Sequence, residues 1–377
     1  MWADTRCTKD PSDVAWAIRK LFAAVGYEPS GTVFVKPNLS GRRPITEGEN
    51  TTVYFMDGLL TVLRAHGCTV VIGHSSLLGT RDRSYPFERV VEDAGFAKYR
   101  SLPRLSLLDL DGAPRRKVAV GERTYAIPEA ILKADSYINV AKLKTHMETG
   151  VSLCLKNQMG LMSGSERIRF HREGLDVPIG ELAVACVPTV NLVEGIVAME
   201  GNGPHHGRDK SLGVVFCGTD MVELDAAIVT RMGMDPAAIG HLQAAARLTG
   251  HPLPDLSATS RDADWRLDVA PAERTLTKGQ RLHVMPTTSC SRCITALDRA
   301  GREMRRSTAG LLKLARASLM SRETTIIIGK PRDEDVPRGR VICVGRCACA
   351  GYDGEAERLH ACPPAVSEVL GFLEARL

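Results

Sequence analysis

Cysteines gather in the last quarter of this 377-residue chain, at spacings that suit metal binding. Six of its eleven cysteines fall there: Cys290, Cys293, Cys343, Cys347, Cys349 and Cys362. The first two form a Cys-x-x-Cys pair. Such a pair with two later cysteines predicts a site with four thiolate ligands.

The preferred ligands are Cys290, Cys293, Cys347 and Cys362, with Cys343 or Cys349 as a replacement for Cys347. The first pair opens a predicted helix, and Cys362 precedes the Pro-Pro start of another, so helix N-termini would stabilise thiolate charge. This spacing suits a 4Fe-4S cluster, and a zinc ion uses the same ligands. It does not decide between three and four protein ligands.

A second group of polar residues could carry out catalysis: Lys142, Lys144, His146, Lys156 and Glu200. The lysines and the histidine follow one predicted strand, where lysines can bind a carboxylate or phosphate as point charges. A desolvated lysine can also act as a base or form a covalent adduct. The alternative is a solvated basic face.

Further polar residues follow other predicted strands or lie in a glycine-rich segment, and we predict that they bind substrate. They are Lys36, Asn38, His74, Ser75, Asn157, Asn202, Gly203, His205 and Asp220. His74 suits acid–base chemistry but is equally a structural histidine, and Asp220 can cap the helix that follows it. The chain has no G-x-G-x-x-G fingerprint and no phosphate loop, so NAD, FAD and ATP gain no support.

Apolar strands alternate with helices along the first 250 residues. Strands are predicted at 32–35, 68–72, 105–110, 137–140, 190–193 and 212–216, and helices at 10–25, 52–65, 87–94, 127–133 and 239–248. This alternation predicts an α/β fold with a doubly wound, mainly parallel sheet, which binds ligands at the carboxyl ends of its strands. We predict a linker or surface connection over 251–280 and a smaller C-terminal cysteine-rich α/β domain over 281–377.

Several motifs resemble the prokaryotic family catalogued as domain of unknown function 362. They are Val35-Lys36-Pro37-Asn38, the run from Ile138 to His146, the run from Leu155 to Gly160, and Met199 to Pro204. Glu194 stands where that family has aspartate in an Asp-Gly pair. Many relatives look like iron–sulfur proteins, so the resemblance implies an iron–sulfur cluster, although it leaves the reaction open.

Bulk composition narrows the classes of partner. The net charge of +5 permits an anionic substrate, and aromatic residues make up only 5% of the chain, so nucleic acid is not expected. We expect no membrane span and no secretory signal, and hence a cytoplasmic protein with reduced thiols. Basic residues near Arg305 either serve solubility or dock an acidic electron donor such as a ferredoxin. The sequence leaves the oligomeric state open.

Together these features predict an iron–sulfur-dependent enzyme that acts on a small anionic substrate, with the cluster facing the cleft. A reductase-type reaction is the first hypothesis. A non-redox reaction at an open iron site (sulfur transfer, dehydration or isomerisation) is the second. A non-catalytic electron carrier or a zinc-stabilised binding protein is the third.

Overall fold

The computed structural model describes residues 1–40, 45–80, 83–146, 148–204, 206–253, 267, 282–286, 291–319, 323–329, 336–362 and 364–377. The chain divides into two compact units. The first comprises Met1–Leu77 and Tyr85–Val269, and the second comprises Leu78–Ser84 and Ala270–Leu377. Most of the predicted linker over 251–280 lies outside the described residues.

The first unit contains an eight-stranded sheet. Its strands are β1 (Trp2–Arg6), β2 (Thr32–Pro37), β3 (Thr69–His74), β6 (Leu105–Asp109), β9 (Ser136–His146), β10 (Gly150–Ser152), β11 (Val190–Asn202) and β12 (His206–Gly218). The order is β1-β12-β11-β9-β2-β3-β6, with β10 paired to β9. The five strands from β11 to β6 run parallel, while β1, β12 and β10 pair in antiparallel fashion. The prediction of a mainly parallel sheet is confirmed.

Helices cover both faces of this sheet. They are α1 (Pro11–Ala24), α2 (Val53–Ala65), α3 (Phe87–Asp93), α4 (Glu129–Lys133), α5 (Cys154–Asn157), α6 (Gly164–Glu173), α7 (Asp176–Ala185), α8 (Met221–Arg231) and α9 (Gly240–Thr249). One apolar core joins α1, α2 and α3 to the sheet, and another joins α5, α7, α8 and α9 to the opposite face. Residues next to each other on a strand point to opposite faces, so every buried strand contributes side chains to both apolar cores.

Two hairpins lie outside the sheet. They are β4 (Leu77–Thr80) with β5 (Arg83–Tyr85), and β7 (Arg115–Val120) with β8 (Arg123–Pro128). The predicted helix over 127–133 begins only at Glu129, because Ile127 and Pro128 pair with the other strand of their hairpin.

The second unit is a smaller α/β layer. Its four parallel strands are β13 (Leu282–Pro286), β14 (Thr324–Ile328), β15 (Arg340–Val344) and β16 (Glu357–Leu359). Its helices are α10 (Ser291–Arg306), α11 (Thr308–Leu319), α12 (Arg346–Gly351) and α13 (Val366–Glu374). In the described part of the chain, no helix is both long and apolar enough to cross a membrane.

Three strands are longer than predicted, and this changes where the motifs lie. The strand predicted at 137–140 runs to His146, because β2, β11 and β10 successively supply hydrogen-bonding partners along it. The lysines therefore lie within β9 and not in a loop after it. Strands β11 and β12 likewise extend to Asn202 and from His206, so the glycine-rich segment is a tight hairpin connection.

Candidate functional site

The parallel strands β2, β3 and β9 end at the same edge of the sheet, and buried polar side chains collect there. We call this set the lysine edge: Lys36, Asn38, His74, Ser75, Lys142, Lys144, His146, Lys156 and Asn157. All of them are buried except Lys156, which is partly exposed. Amino groups buried at this depth need acceptors or a counter-charge, so their partners decide what each can do.

Lys142 is neutralised within the protein. Its Nζ lies 2.8 Å from Oε1 of Glu194, and both side chains are 0% exposed. The same carboxylate accepts hydrogen bonds from the backbone nitrogen and the hydroxyl of Thr52, at 3.0 and 2.7 Å. Burial lowers the pKa of Lys142, and the charge of Glu194 opposes that shift. Because Thr52 caps α2, this pair fixes β9 and β11 to that helix, which is a structural role.

Lys144 has a different environment. Its Nζ donates to the side-chain oxygen of Asn38 at 2.9 Å, to the hydroxyl of Ser40 at 2.6 Å and to the backbone carbonyl of Glu49 at 2.7 Å. All three acceptors are uncharged. Burial lowers the pKa of Lys144 to about 7, the charge of the Glu49 carboxylate opposes this, and the charge of Lys156 lowers it further. This amino group therefore exchanges its proton near neutral pH.

Asn38 and Asn157 connect the two faces of the sheet. Asn38 Nδ2 donates to Oδ1 of Asn157 at 3.0 Å, while its own oxygen accepts from Lys144. Asn157 Nδ2 in turn donates to Asn139 Oδ1 at 2.8 Å and to the backbone carbonyls of Val140 and Lys36. These bonds fix the amide orientations, so the Asn38 oxygen is held towards the lysine.

Lys36 and His74 are two further basic residues that lie buried at the edge. Lys36 Nζ donates to the carbonyl of Pro37 at 2.7 Å. Burial lowers the pKa of both residues well below their usual values, and the charge of Lys36 lowers that of His74 further. A Cβ on Gly160 would lie 2.6 Å from Lys36 Nζ and 3.6 Å from His74 Nε2, so a larger residue at this position would require the end of the Lys36 side chain to move.

The two histidines of the edge hold defined tautomers through backbone contacts. His74 Nδ1 lies 2.5 Å from the carbonyl oxygen of Ser75, which can only accept, so Nδ1 carries the proton. His146 Nδ1 accepts from the backbone nitrogens of Glu148 and Thr149 at 3.2 and 3.3 Å, so its Nε2 carries the proton. Both rings are positioned by the chain around them.

Lys156 stands on the short helix α5, which a buried carboxylate holds in place. Asp225 accepts the backbone N–H groups of Cys154 and Leu155 at 3.0 and 2.9 Å, and burial raises the pKa of Asp225 to about 7. Burial also lowers the pKa of Lys156, against the opposing charge of Glu148. Its amino group makes no hydrogen bond or ion pair with any residue that the structure describes.

The predicted residues of the glycine-rich segment have local partners. Glu200 Oε1 accepts from Nε of Arg208 at 2.8 Å, and its other oxygen is 3.6 Å from Lys210 Nζ. A Cβ on Gly203 would lie 1.9 Å from the carbonyl oxygen of Thr145, so this glycine allows the hairpin to pack on β9. Gly203 is therefore required for packing, and ligand binding by this segment stays a prediction. His205 and the side chain of Asn202 lie outside the described residues.

Asp220 lies away from the lysine edge. Strand β12 runs antiparallel to β11, and its last residue, Gly218, is opposite Asn191 at the start of β11. Asp220 therefore follows the far edge of the sheet, where it caps α8 by accepting the backbone N–H of Glu223 at 2.7 Å. Asp220 thus acts as the helix cap that the sequence offered as an alternative, and its role in substrate binding stays a prediction.

Sequence reasoning missed Ser40, Glu49 and Thr52. They belong to the segment between β2 and α2, and each supplies an acceptor or anchor to the lysine edge. Asp209 holds this segment down by accepting the backbone N–H groups of Glu47 and Gly48 at 3.1 Å. The signal available in the sequence was the polar run Glu49-Asn50-Thr51-Thr52 before an apolar helix.

In the second unit, three of the four preferred thiols lie on neighbouring segments. A Cβ on Gly345 would lie 2.9 Å from Cys293 Sγ, and φ at this glycine is +93°. Arg346 donates its backbone N–H to the carbonyl of Ala361 at 3.1 Å, which aligns the segments that carry Cys347 and Cys362. Both of these cysteines are partly exposed, whereas Cys293 is buried. Cys290 lies outside the described residues.

The two replacement thiols are packed in the interior of this unit. Cys343 and Cys349 belong to a small apolar core, and Cys349 Sγ faces the carbonyls of Cys343 and Leu359 at 3.8 and 3.5 Å. Burial raises the pKa of Cys349 to about 11 and also raises that of Cys343. Across the described residues, no three His, Cys, Asp or Glu side chains are grouped as a metal ion would require.

Residues 33–230, just over half of the chain, match the family described as Domain of unknown function (DUF362). The chain belongs to the DUF362 family. The matched segment includes every residue of the lysine edge, whereas the cysteines from Cys290 to Cys362 lie beyond it.

Individual relatives of this DUF362 protein are distant. The thylakoid-associated protein sll1697 of Synechocystis is 29% identical over 237 residues, which cover 60% of this chain and 70% of that protein. The lactate racemase apoprotein of Thermoanaerobacterium thermosaccharolyticum has a TM-score of 0.39 and 11% identity, covering 85% of this chain and 68% of its own. A protein from Thermotoga maritima has a TM-score of 0.34 and 13% identity, covering half of each chain.

Proposed function

We propose that this protein is an enzyme that binds a small anionic substrate at the lysine edge. The observation that carries the proposal is the set of partners of Lys144, whose buried amino group is held by three uncharged oxygens. Lys36 likewise donates to a carbonyl and not to a carboxylate. Among the lysines of the edge, and within the described residues, Lys142 alone has a carboxylate partner. A carboxylate or phosphate ligand would supply the missing counter-charge.

The same environment suits proton transfer. A group whose pKa is near the working pH can both accept and return a proton, and Lys144 meets that condition at about 7. When an anion binds, its charge favours the protonated lysine, so binding and proton uptake occur together. The tautomers of His74 and His146 provide further fixed ring nitrogens at this edge. This feature favours the non-redox hypothesis as a second candidate.

For the cysteine-rich unit we retain a 4Fe-4S cluster, with a zinc ion as the alternative. Thiolates are the ligands of such a cluster, and three preferred thiols lie on adjoining segments, although the described side chains do not form a metal-binding group. Cys290 would be the fourth ligand. The interior packing of Cys343 and Cys349 supports Cys347 as the ligand. A bound cluster would supply one-electron transfer, which makes a reductase-type reaction the first candidate.

The proposal also includes an electron donor and a cellular compartment. A reductase would take electrons from an acidic donor such as a ferredoxin, and the exposed Arg305 and Arg306 on α10 offer a complementary surface. We place the protein in the cytoplasm, where its thiols stay reduced. A non-catalytic carrier or zinc-stabilised binding protein would have no use for buried lysines held by neutral acceptors.

Anion binding to Lys144→Met tests the proposal. Isothermal calorimetry with phosphate, oxalate and pyruvate would compare this variant with the wild type and with Lys133→Met, which removes an exposed lysine of α4. We expect at least one anion to bind the wild type and the control alike, and the Lys144 variant about tenfold more weakly, or about 1.4 kcal/mol. Equal affinity in all three proteins would remove the proposed site.

A further inference from the structure

Lys156 differs from the other lysines of the edge in what its amino group contacts. Lys36, Lys142 and Lys144 each donate at least one hydrogen bond. Lys156 Nζ has no such partner within the described part of the chain, and its side chain is partly exposed. It is therefore the lysine of this set that an incoming molecule can reach without breaking an existing bond.

The surroundings of Lys156 favour an uncharged amine. Burial is the main cause that lowers its pKa, and only the charge of Glu148 opposes this. When Lys156 is protonated, its charge lowers the pKa of Lys144 and of His241, so Lys156 lies close enough to interact electrostatically with both residues. An uncharged amine is a nucleophile, and an anion bound at the lysine edge would favour the protonated form of the neighbouring Lys144.

Its backbone is also held in place. Asp225 accepts the first two N–H groups of α5, and the next residue, Asn157, makes three hydrogen bonds to strand residues through Nδ2. Because the backbone of α5 is fixed by these bonds, the side chain of Lys156 starts from a defined position and orientation. Lys156 therefore combines an amino group that has no hydrogen-bond partner in the described part of the chain with a fixed backbone beside the proposed anion site.

We propose that Lys156 forms an imine with the carbonyl group of a small anionic substrate of the 2-oxo acid class. The proposal rests on the proposed function, since the lysine edge must first bind the carboxylate. The amine adds to the carbonyl carbon, the carbonyl oxygen takes up a proton, and the carbinolamine loses water to leave a C=N bond. Hydrolysis reverses the step. No oxidant or reductant is consumed.

Glu148 is the carboxyl group suited to carry the proton in this step. It acts on the charge of Lys156, and its own carboxylate faces Nδ1 of His171 at 3.3 Å. Its backbone N–H is bonded to His146, so its position is tied to the same edge.

Reductive trapping tests the imine. Wild-type protein would be incubated with pyruvate or glyoxylate and sodium cyanoborohydride, digested, and mapped by mass spectrometry. Lys156→Arg keeps a long side chain that ends in nitrogen atoms but cannot form an imine, and Lys133→Arg is the matched control on the surface. We expect the carboxyalkyl adduct on Lys156 in the wild type and in the control, and its loss in Lys156→Arg. Unchanged thermal midpoints would show that the variants are folded.

Oxalate separates failure of this inference from failure of the proposed function, because it carries the charge of a 2-oxo acid but forms no imine here. We expect oxalate to suppress trapping. An adduct absent from Lys156, spread over surface lysines, or insensitive to oxalate would overturn the inference. If oxalate then still binds in a manner that depends on Lys144, the proposed function stands; if it does not bind, both fall.

Discussion

The side-chain oxygen of Asn38 accepts a hydrogen bond from Lys144 Nζ at 2.9 Å, although the two residues are 106 positions apart in the chain. Asn38 follows β2, and Lys144 lies near the end of the parallel strand β9. The bond is neutral on the acceptor side. It holds the amino group at the edge of the sheet but does not neutralise the positive charge that the protonated group carries. A bound anion could neutralise that charge.

Replacing Asn38 by aspartate should close the anion site. A carboxylate within hydrogen-bonding distance of an amino group raises its pKa by about 1–3 units, so Asn38→Asp would keep Lys144 protonated and internally paired. We expect anion affinity to fall about tenfold or more, and the pH midpoint of any remaining binding to move upwards. Calorimetric titration at several pH values measures both. Binding that is as tight as in the wild type would contradict this assignment.

The stability of the protein should rise with pH because of Lys144. Its folded pKa is about 7, against an ordinary value of 10.5. Between these values the unfolded chain holds a proton that the folded chain has released, so stability increases as the pH rises through this window. The contribution is at most about 1.4 kcal/mol per pH unit.

Lys144→Met removes this titration. Lys36, Lys142 and Lys156 also have lowered pKa values. The free energy of unfolding of the variant should therefore still rise with pH, but with a slope smaller by the contribution of about one proton. Urea denaturation at pH 7, 8 and 9 would measure it. A slope identical to that of the wild type would show that Lys144 keeps an ordinary pKa.

Gly160→Ala should destabilise the protein, because the added Cβ would lie 2.6 Å from the fully buried Lys36 Nζ. Overpacking of a buried site costs about 1–3 kcal/mol. Gly112→Ala is the matched control, since nothing lies within 4 Å of its Cβ position. Chemical denaturation of both variants gives the comparison, and equal stability would argue against the close packing of Lys36 under this glycine.

The cysteine variants distinguish ligands from packing residues. Anaerobically purified wild type should contain about four iron and four sulfide per chain. Cys347→Ser and Cys362→Ser should lose them, whereas Cys349→Ser should retain them because its Sγ faces backbone carbonyls. Metal and sulfide analysis with an absorption spectrum decides. A colourless protein with one zinc per chain would favour the zinc alternative and remove the reductase hypothesis.

The alternation of strands and helices could be predicted from the sequence because runs such as Val33-Phe34-Val35 are apolar on both faces of a parallel strand. The alternation of lysines with Leu143 also indicated that Lys142 and Lys144 share one face. The full length of β9 could not be predicted, because it depends on strands β11 and β2 that are distant in sequence.

The sequence was a better guide to which residues gather at the lysine edge than to the role of each residue there. Lys142 and Lys144 look equivalent in the sequence, yet one has a carboxylate partner and the other does not. That difference arises from Glu194 and from the segment before α2, which tertiary packing brings to β9. Asp220 shows the converse, because a polar residue after a strand lies at the other edge when that strand is antiparallel.

Proton uptake on anion binding tests the central claim most directly. Calorimetric titration of oxalate at pH 8, in buffers of different ionisation enthalpy, gives the number of protons taken up per anion bound. With a pKa of about 7, Lys144 is mostly neutral at this pH in the free protein. We expect an uptake approaching one proton per anion in the wild type and a clear reduction in Lys144→Met. Oxalate binding with no proton uptake, or with the same uptake in both proteins, would contradict it.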